Sequence, residues 1–191
     1  MLAVDAVNPQ PNQTIIDMCA APGGKSFVMA AVMQNSGTIH AHDIHQHRVE
    51  LINQTKRRLG LTNIIAKVQD ATAFLPSYEN IADTVLLDAP CTGFGTIRKH
   101  PEIKYRRTAQ DIADMANLQK NMLNISARYV KPGGKLVYCT CTISNEENGD
   151  NIKDFLTRHS DFHLMCEKQI LPSATSDAFY VALLVKREIN L

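Results

Sequence analysis

Two of the five cysteines, Cys91 and Cys141, each follow an apolar, β-prone segment of the chain. Asp88 lies three residues before Cys91, in the run Asp88-Ala89-Pro90-Cys91. A thiolate is both a good nucleophile and a tolerable leaving group, so two cysteines beside a carboxylate suit nucleophilic catalysis. An odd number of cysteines in a chain of 191 residues argues against a disulfide framework. We therefore expect a reduced, cytoplasmic protein whose thiols are structural or catalytic.

A glycine-rich loop follows the apolar run 14–17 and precedes a predicted helix. Its Gly23-Gly24-Lys25-Ser26 end is similar to the end of a Walker A motif, the phosphate-binding loop of NTPases. That motif needs a glycine where Cys19 stands, and Pro22 has no N–H to donate to a phosphate. The third glycine of a dinucleotide-binding fingerprint is also missing. The loop is thus unsuited to cradling phosphates.

Acidic residues follow the next two predicted strands, Asp43 after the second and Asp70 after the third. An acid at the end of the second strand commonly accepts hydrogen bonds from ribose hydroxyls. Together with the glycine turn, these acids favour an adenosine-containing ligand. The alternative is that Gly23 and Gly24 only turn the chain and that Asp43 caps a helix.

The elements that must position these residues alternate between strand and helix. We predict strands at 14–17, 38–43, 64–68, 84–88 and 135–139, and helices at 26–33, 47–59, 108–130 and 145–159. Strands at 162–165 and 179–186 have no helix between them, so we expect them to pair antiparallel. The alternation predicts an α/β fold with a largely parallel sheet covered on both faces. In such sheets the ligand lies beyond the carboxyl ends of the strands.

Three motifs together resemble the Sun (Nop/Sun) family of RNA cytosine-5 methyltransferases: Cys19-Ala20-Ala21-Pro22-Gly23-Gly24-Lys25, Asp88-Ala89-Pro90-Cys91 and Thr140-Cys141. The runs 97–104 and Glu146-Glu147-Asn148 look most like the bacterial branch that acts on small-subunit rRNA. The resemblance covers residues 12–187 in consistent order. It implies a class I (Rossmann-like) methyltransferase fold, with a mixed seven-stranded sheet and helices on both faces. It also implies S-adenosylmethionine as the methyl donor.

The resemblance also implies roles for single residues. Cys141 is expected to add to C6 of a cytosine, Cys91 to assist product release, and Asp88 to face both the cofactor and the target base. Asp43 and Arg48 are expected at the ribose and Asp70 at the adenine amine. The full expected cofactor set is Cys19, Ala20, Ala21, Pro22, Gly23, Gly24, Lys25, Asp43, Arg48, Asp70 and Asp88.

The remaining cysteines and a group of histidines have simpler interpretations. We expect Cys139 and Cys166 in the core, and Cys19 also packed there despite its place in the cofactor loop, because free cysteine is often buried. His40, His42, His45 and His47 do not have the spacing of a zinc site, so no metal is expected. We expect these histidines to be mostly exposed near the cofactor ribose.

Charge limits how the chain could hold RNA. Twenty basic and nineteen acidic residues give a net charge of +1, which excludes a globally basic binder and leaves only a local patch. Such a patch lies at 98–107, where five basic residues oppose one acidic residue. We expect RNA contacts from Arg98, Lys99, His100 and Lys104. The alternative is a solvated surface loop.

We expect the chain, residues 1–191, to be a catalytic domain without the N-terminal RNA-binding region of the family, and favour a monomer. No apolar run is long enough to span a membrane, so no membrane association is expected. The predicted reaction is methylation of C5 of a cytosine in small-subunit rRNA. Two alternatives stay open: the same chemistry on tRNA, and a non-catalytic RNA- or ribosome-binding module.

Near the end of the chain, Ala178 stands where the family has glycine. An alanine there would be costly if the position needs a positive φ.

Overall fold

Seven strands form one sheet in the computed structural model, which describes residues 2–188. The strands are β1 (Thr14–Asp17), β2 (Thr38–Asp43), β3 (Ile64–Val68), β4 (Ala82–Asp88), β5 (Val130–Thr140), β6 (Phe162–Ile170) and β7 (Phe179–Lys186). Their spatial order is β3-β2-β1-β4-β5-β7-β6. The first five strands are parallel, whereas β7 pairs antiparallel with both β5 and β6. The mixed seven-stranded sheet and the antiparallel final pair are both confirmed.

The helices are α1 (Leu2–Val7), α2 (Gly24–Val32), α3 (Gln46–Arg58), α4 (Ile103–Arg106), α5 (Ala109–Tyr129) and α6 (Gly149–Arg158). Helix α5 begins with a capping box, in which the Thr108 hydroxyl and the Asp111 carboxylate each bond the other's backbone N–H. Helix α1 was not predicted from the sequence. Its six residues are too few to show a helical repeat, although Ala3, Val4 and Val7 are buried.

Successive residues of the central strands point to opposite faces of the sheet, and each face carries its own apolar core. Val85 and Leu87 of β4 pack in one cluster with residues of α5 and α6. Leu86, between them, packs in the other cluster with residues of α1, α2 and α3. The predicted helices on both faces are therefore confirmed. No helix within residues 2–188 has the length and apolar character needed to cross a membrane.

Several boundaries differ from the sequence predictions. Strand β5 begins at Val130, which pairs with Ala82, and not at 135 as expected, and its pairing with β4 is irregular between Ala82 and Thr84. Helix α6 begins at Gly149 and not at Asn145, because residues 145–148 form a turn in which the N–H of Asn148 bonds the Asn145 carbonyl.

Two burial predictions were wrong. Cys166 is exposed, because β6 is the edge strand of the sheet and its residues 165–169 are exposed on both faces. His42 is buried and His40 half-buried, because β2 lies inside the sheet and both rings pack on Tyr78 with centroids 5.1 and 5.0 Å away. His45 and His47, beyond the strand, are exposed as expected.

Candidate active site

The carboxyl ends of β1, β2 and β4 meet at one edge of the sheet, where a cavity of about 290 Å³ opens. Four of the expected cofactor residues contribute charged side chains to its wall: Asp43, Arg48, Asp70 and Asp88. The rest of the wall is largely apolar and includes Met18, Ile44, Ala71, Pro90 and Met122. A mainly apolar cavity with a few fixed polar groups is the usual form of a small-molecule site.

The two acids at the far end of this cavity are held by short turns. Asp43 Oδ1 accepts a hydrogen bond from the backbone N–H of His45 at 2.9 Å. Asp70 Oδ1 accepts from both the N–H and the hydroxyl of Thr72, at 2.8 and 2.7 Å. Within the described residues both carboxylates make these bonds through Oδ1, which leaves Oδ2 for hydroxyl or amine donors of a ligand.

The glycine loop forms a second cavity of about 190 Å³, which shares Cys19, Ala21 and Asp88 with the first. The remaining residues of its wall are Asp17, Ala20, Pro22, Gly24 and Lys25. Cys19, expected to be packed in the core, is half-buried and lines both cavities. All the expected cofactor residues except Gly23 therefore line one cavity or the other.

Gly23 itself shapes the loop. Its φ of +105° lies in the left-handed region, and an added Cβ would lie 2.3 Å from the ring of Phe27. Only glycine fits there without strain. The loop is anchored to the sheet by the Ala20 N–H, which bonds the carbonyl of His42 at 2.7 Å.

Asp17, the last residue of β1, was not among the expected site residues. Its place at the carboxyl end of a buried strand was the signal that could have indicated a role in the site. It lines the second cavity and accepts a hydrogen bond from the Ser26 hydroxyl at 2.6 Å. Burial raises the pKa of its carboxyl to about 7. Its Oδ1 is buried and has no hydrogen-bond partner among the described residues.

Asp88 connects the two cavities to the cysteines. Its Oδ2 forms an ion pair with Lys25 Nζ, and its Oδ1 lies 3.3 Å from Cys139 Sγ. Burial lowers the pKa of Lys25, but the Asp88 carboxylate more than offsets this and the net shift is upward. Cys139 is fully buried as predicted, and its contact with Asp88 is a feature that sequence reasoning missed.

Cys91 and Cys141 lie with their sulfur atoms 3.3 Å apart, and both are half-buried. They meet because β4 and β5 are parallel neighbours, with Asp88 opposite Cys139 in register. The hydrogen bond between the two sulfurs lowers the pKa of Cys141 below its usual value, against the opposing effects of burial and of Asp88. The same bond raises the pKa of Cys91, so Cys141 is the sulfur that ionises first.

The expected RNA-binding residues lie on the surface segment that follows Cys91. All four of these side chains are exposed, but three of them have acidic partners. Lys99 Nζ lies 2.6 Å from Asp177 Oδ2, Arg98 also contacts Asp177 at 3.5 Å, and His100 Nδ1 lies 3.5 Å from Glu102. Lys104 Nζ lies 6.0 Å from the ring centroid of Tyr105. The local positive charge is thus smaller than the sequence count indicates.

Ala178 is joined to the Cys141 loop through hydrogen bonds of Gly95. Its N–H bonds the carbonyl of Gly95 at 2.9 Å, and the Gly95 N–H bonds the carbonyl of Cys141 at 3.0 Å. Ala178 does not have a positive φ, so the expected strain is absent there. Within residues 2–188 no group of three or more His, Cys, Asp or Glu side chains could hold a metal ion.

A model of one protein family, described as 16S rRNA methyltransferase RsmB/F, matches residues 4–185. The chain belongs to the RsmB/F family. A relative from Bacillus subtilis (strain 168), a probable ribosomal RNA small subunit methyltransferase B, is 43% identical over 173 residues. A human 28S rRNA (cytosine(4447)-C(5))-methyltransferase is 45% identical over 152 residues.

Both relatives are longer than the chain. The matches cover 89% of this chain but 39% of the Bacillus subtilis protein, and 78% of this chain but 19% of the human protein. Among solved structures, NSun6 from Pyrococcus horikoshii with SFG, an analogue of S-adenosylmethionine, superposes with a TM-score of 0.85 at 30% identity. That match covers 97% of this chain and 50% of the other. The class I, Rossmann-like methyltransferase fold expected from the sequence is confirmed.

Proposed function

We propose that this chain transfers a methyl group from S-adenosylmethionine to C5 of a cytosine in ribosomal RNA, most specifically small-subunit rRNA. One observation carries the proposal: two cysteine sulfurs lie 3.3 Å apart at the strand edge that also holds the acid-lined cavity. Membership of the RsmB/F family and the names of the relatives support rRNA as the substrate class.

The two joined cavities suit an adenosyl amino acid. The larger cavity would hold the nucleoside, with Asp43 and Arg48 at the ribose, Asp70 at the adenine amine, and apolar walls against the base. The smaller cavity, lined by Asp17 and Lys25, would hold the amino acid part. The buried Oδ1 of Asp17, which has no partner among residues 2–188, fits a site where a ligand donor completes the hydrogen bonding. S-adenosylmethionine, when bound, supplies an electrophilic methyl group on a sulfonium.

Cys141 is the nucleophile that activates the target cytosine. C5 of cytosine is a poor nucleophile, and addition of the Cys141 thiolate to C6 would convert C5 into the reactive carbon of an enamine. Free cysteine is only a few per cent thiolate at neutral pH, since its ordinary pKa is about 8.5. The hydrogen bond from Cys91 favours the thiolate of Cys141 over that of any other cysteine at this edge.

Product release requires that the C5 proton leave and that the bond between Cys141 and C6 break. A base takes the C5 proton, the electron pair of the C5–H bond restores the C5–C6 double bond, and the C6–S bond breaks so that Cys141 departs as a thiolate. Cys91, in contact with Cys141, is the group that assists this step in our proposal. Asp88 would face the amino and N3 edge of the base, and Lys25 holds its carboxylate in place. The target base must leave its stack to reach this edge.

The exposed segment 98–107 lies on the chain just beyond Cys91 and would contact the RNA backbone, through phosphates more than bases. A catalytic thiol pair in contact requires reducing conditions, since oxidation would join the sulfurs. We therefore place the protein in the cytoplasm.

Methyl transfer to defined RNAs tests this function. The purified chain is incubated with tritiated S-adenosylmethionine and either unmodified small-subunit rRNA or a tRNA transcript, and cofactor binding is measured by calorimetry. We expect labelling of the rRNA, a loss of at least about a thousandfold in Cys141→Ala, and unchanged cofactor affinity in that variant. Cys166→Ala, at an exposed position on the edge strand, is the matched control and should keep full activity.

Each other result has a definite meaning. Labelling of tRNA alone would move the substrate to tRNA, and undiminished labelling by Cys141→Ala would remove Cys141 from its role. Absence of cofactor binding at millimolar concentration would leave only an RNA- or ribosome-binding module.

A further inference from the structure

Glu147 is a fully buried carboxylate that lies behind the two cysteine loops and in neither cavity. Its Oε2 accepts a hydrogen bond from the backbone N–H of Thr92 at 2.9 Å, and its Oε1 accepts from the Thr92 hydroxyl. Thr92 is the residue directly after Cys91. Both polar groups of that loop residue are therefore fixed to one side chain.

The residue directly before Cys91 is fixed by Gln119, which also bonds the Glu147 carboxylate. Gln119 Nε2, from helix α5, donates to Glu147 Oε2 at 3.0 Å and to the carbonyl of Pro90 at 2.8 Å. Asn151 Nδ2 in turn donates to Gln119 Oε1 at 2.9 Å, which orients the Gln119 amide. Cys91 is thus held from both sides along the chain by hydrogen bonds that converge on Glu147.

The hydrogen bonds continue to the other cysteine loop. The Thr92 and Thr142 hydroxyl oxygens lie 3.0 Å apart, and Thr142 directly follows Cys141. The one hydroxyl proton of Thr92 is donated to Glu147, so Thr142 must donate to Thr92. Glu147 therefore fixes the direction of a hydrogen-bond chain that joins the residue after Cys91 to the residue after Cys141.

Stability of the folded state does not by itself explain a buried carboxylate. Among the described residues, Glu147 is in none of the ion pairs, and its hydrogen-bond donors are all neutral. Burying an ion is costly because it loses its water, and apolar residues of similar volume often stabilise a fold as well or better. A carboxylate does have one property that an apolar residue lacks, since it accepts from three donors at once and fixes their relative positions.

We propose that Glu147 is a positioning residue that holds the Cys91 and Cys141 loops in register, so that the two sulfurs stay in hydrogen-bonding contact. Glu147 touches neither sulfur and acts through Thr92, Thr142 and Gln119. Its value for catalysis rests on the proposed function, because it keeps the Cys91 thiol where it can donate to Cys141. The sulfur contact itself is independent of that function.

The pH dependence of Cys141 alkylation tests this role without RNA or cofactor. The whole chain is treated with iodoacetamide from pH 5 to 10, and modification of the Cys141 peptide is followed by mass spectrometry. Loss of the Cys91 contact in Glu147→Ala should raise the alkylation midpoint by about one pH unit, or about a tenfold slower reaction at neutral pH. Glu147→Gln keeps one oxygen that can accept from Thr92 and Gln119. Its alkylation midpoint should therefore rise by no more than half as much as that of Glu147→Ala.

Two further variants distinguish a positioning role of Glu147 from a general loss of structure. Glu146→Gln is the matched control, because the neighbouring Glu146 is exposed and bonds only Ser144 among the described residues, and its midpoint should equal that of the wild type. If Glu147→Ala does not fold by circular dichroism, Thr92→Val removes only the bridging hydroxyl and should raise the midpoint by a smaller amount. A wild-type midpoint in the folded Glu147→Ala or Thr92→Val variant would overturn the proposal.

Methyl transfer, measured in parallel, separates this inference from the proposed function. Glu147→Ala should lower kcat by tenfold or more and leave the KM for S-adenosylmethionine unchanged, since Glu147 lines neither cavity. If the wild type transfers no methyl group, the proposed function fails, and the alkylation midpoints alone still decide whether Glu147 positions the sulfurs.

Discussion

The cysteine loops and the basic segment that follows them differ in how their polar groups are held. Around Cys91 and Cys141, the supporting side chains of Thr92, Thr142 and Glu147 are at most 1% exposed and hydrogen-bond one another. In the segment 98–107, the basic side chains are exposed, and Arg98 and Lys99 pair with Asp177 at the surface.

This difference separates two kinds of function. Buried polar groups lose their water, so each missing partner leaves a large cost and the geometry is well defined. Exposed ion pairs are screened and contribute little, typically less than about 1 kcal/mol. We therefore expect the buried region to control chemistry through position, and the basic segment to control RNA affinity through charge.

Among substitutions outside the cysteine loops, the largest effect is expected at Asp43, the buried acid that ends β2. Asp43→Ala removes a carboxylate that is 6% exposed and lines the larger cavity. Lost hydrogen bonds between ribose hydroxyls and a charged acceptor should cost about 1–3 kcal/mol, which is roughly a fivefold to 150-fold weaker affinity for S-adenosylmethionine. Calorimetry measures this, with the exposed Glu50→Ala on α3 as control. An unchanged affinity would place the ribose elsewhere.

A smaller effect should appear in the pH dependence of stability. Burial, together with the charges of His40 and Lys67, lowers the pKa of His42 to about 4, against about 6.5 in an unfolded chain. Below pH 6.5 the unfolded state therefore binds a proton that the native state does not. The contribution of His42 to stability is complete above pH 6.5 and declines as the pH falls towards 4.

Urea unfolding at pH 7 and pH 5 measures this contribution. The loss of stability between these pH values should be about 2 kcal/mol smaller in His42→Leu than in the wild type. His163→Leu, at an exposed position on β6, should lose as much as the wild type. Equal losses in all three proteins would show that His42 titrates normally and is not a buried neutral group.

The smallest effect concerns the exposed ion pairs. Asp177→Asn frees Lys99 and Arg98 and should strengthen binding of rRNA about threefold at low salt, with the gain lost at high salt. Asp114→Asn makes the same change of charge on an exposed part of helix α5 and serves as the control in filter binding. A decrease in affinity, or an equal gain in the control, would mean that Lys99 and Arg98 do not contact RNA.

The sequence predicted the parts of the fold that depend on local pattern. Strand Ile64–Val68 and strand Phe179–Lys186 have the predicted bounds, because each is a mostly apolar, β-prone run followed by polar residues. The meeting of Cys91 and Cys141 also followed from local information, since each comes just after one of two neighbouring parallel strands.

Features that depend on distant partners could not be predicted from local pattern. The exposure of Cys166 depends on β6 lying at the edge of the sheet, which the antiparallel pairing alone did not determine. Asp177 contacts Lys99, 78 residues earlier, so a local charge count could not include it. The role of Glu147 likewise became visible only once Thr92, 55 residues away, was placed beside it.

The most direct test of the central claim is to trap the bond between Cys141 and the target base. Cys91→Ala is incubated with S-adenosylmethionine and unmodified small-subunit rRNA, digested with nuclease and protease, and examined by mass spectrometry. We expect a Cys141 peptide that carries a methylated cytidine, and no such peptide when Cys141→Ala is added to the variant. No adduct, or an adduct on another cysteine, under conditions where the wild type methylates the RNA, would contradict it.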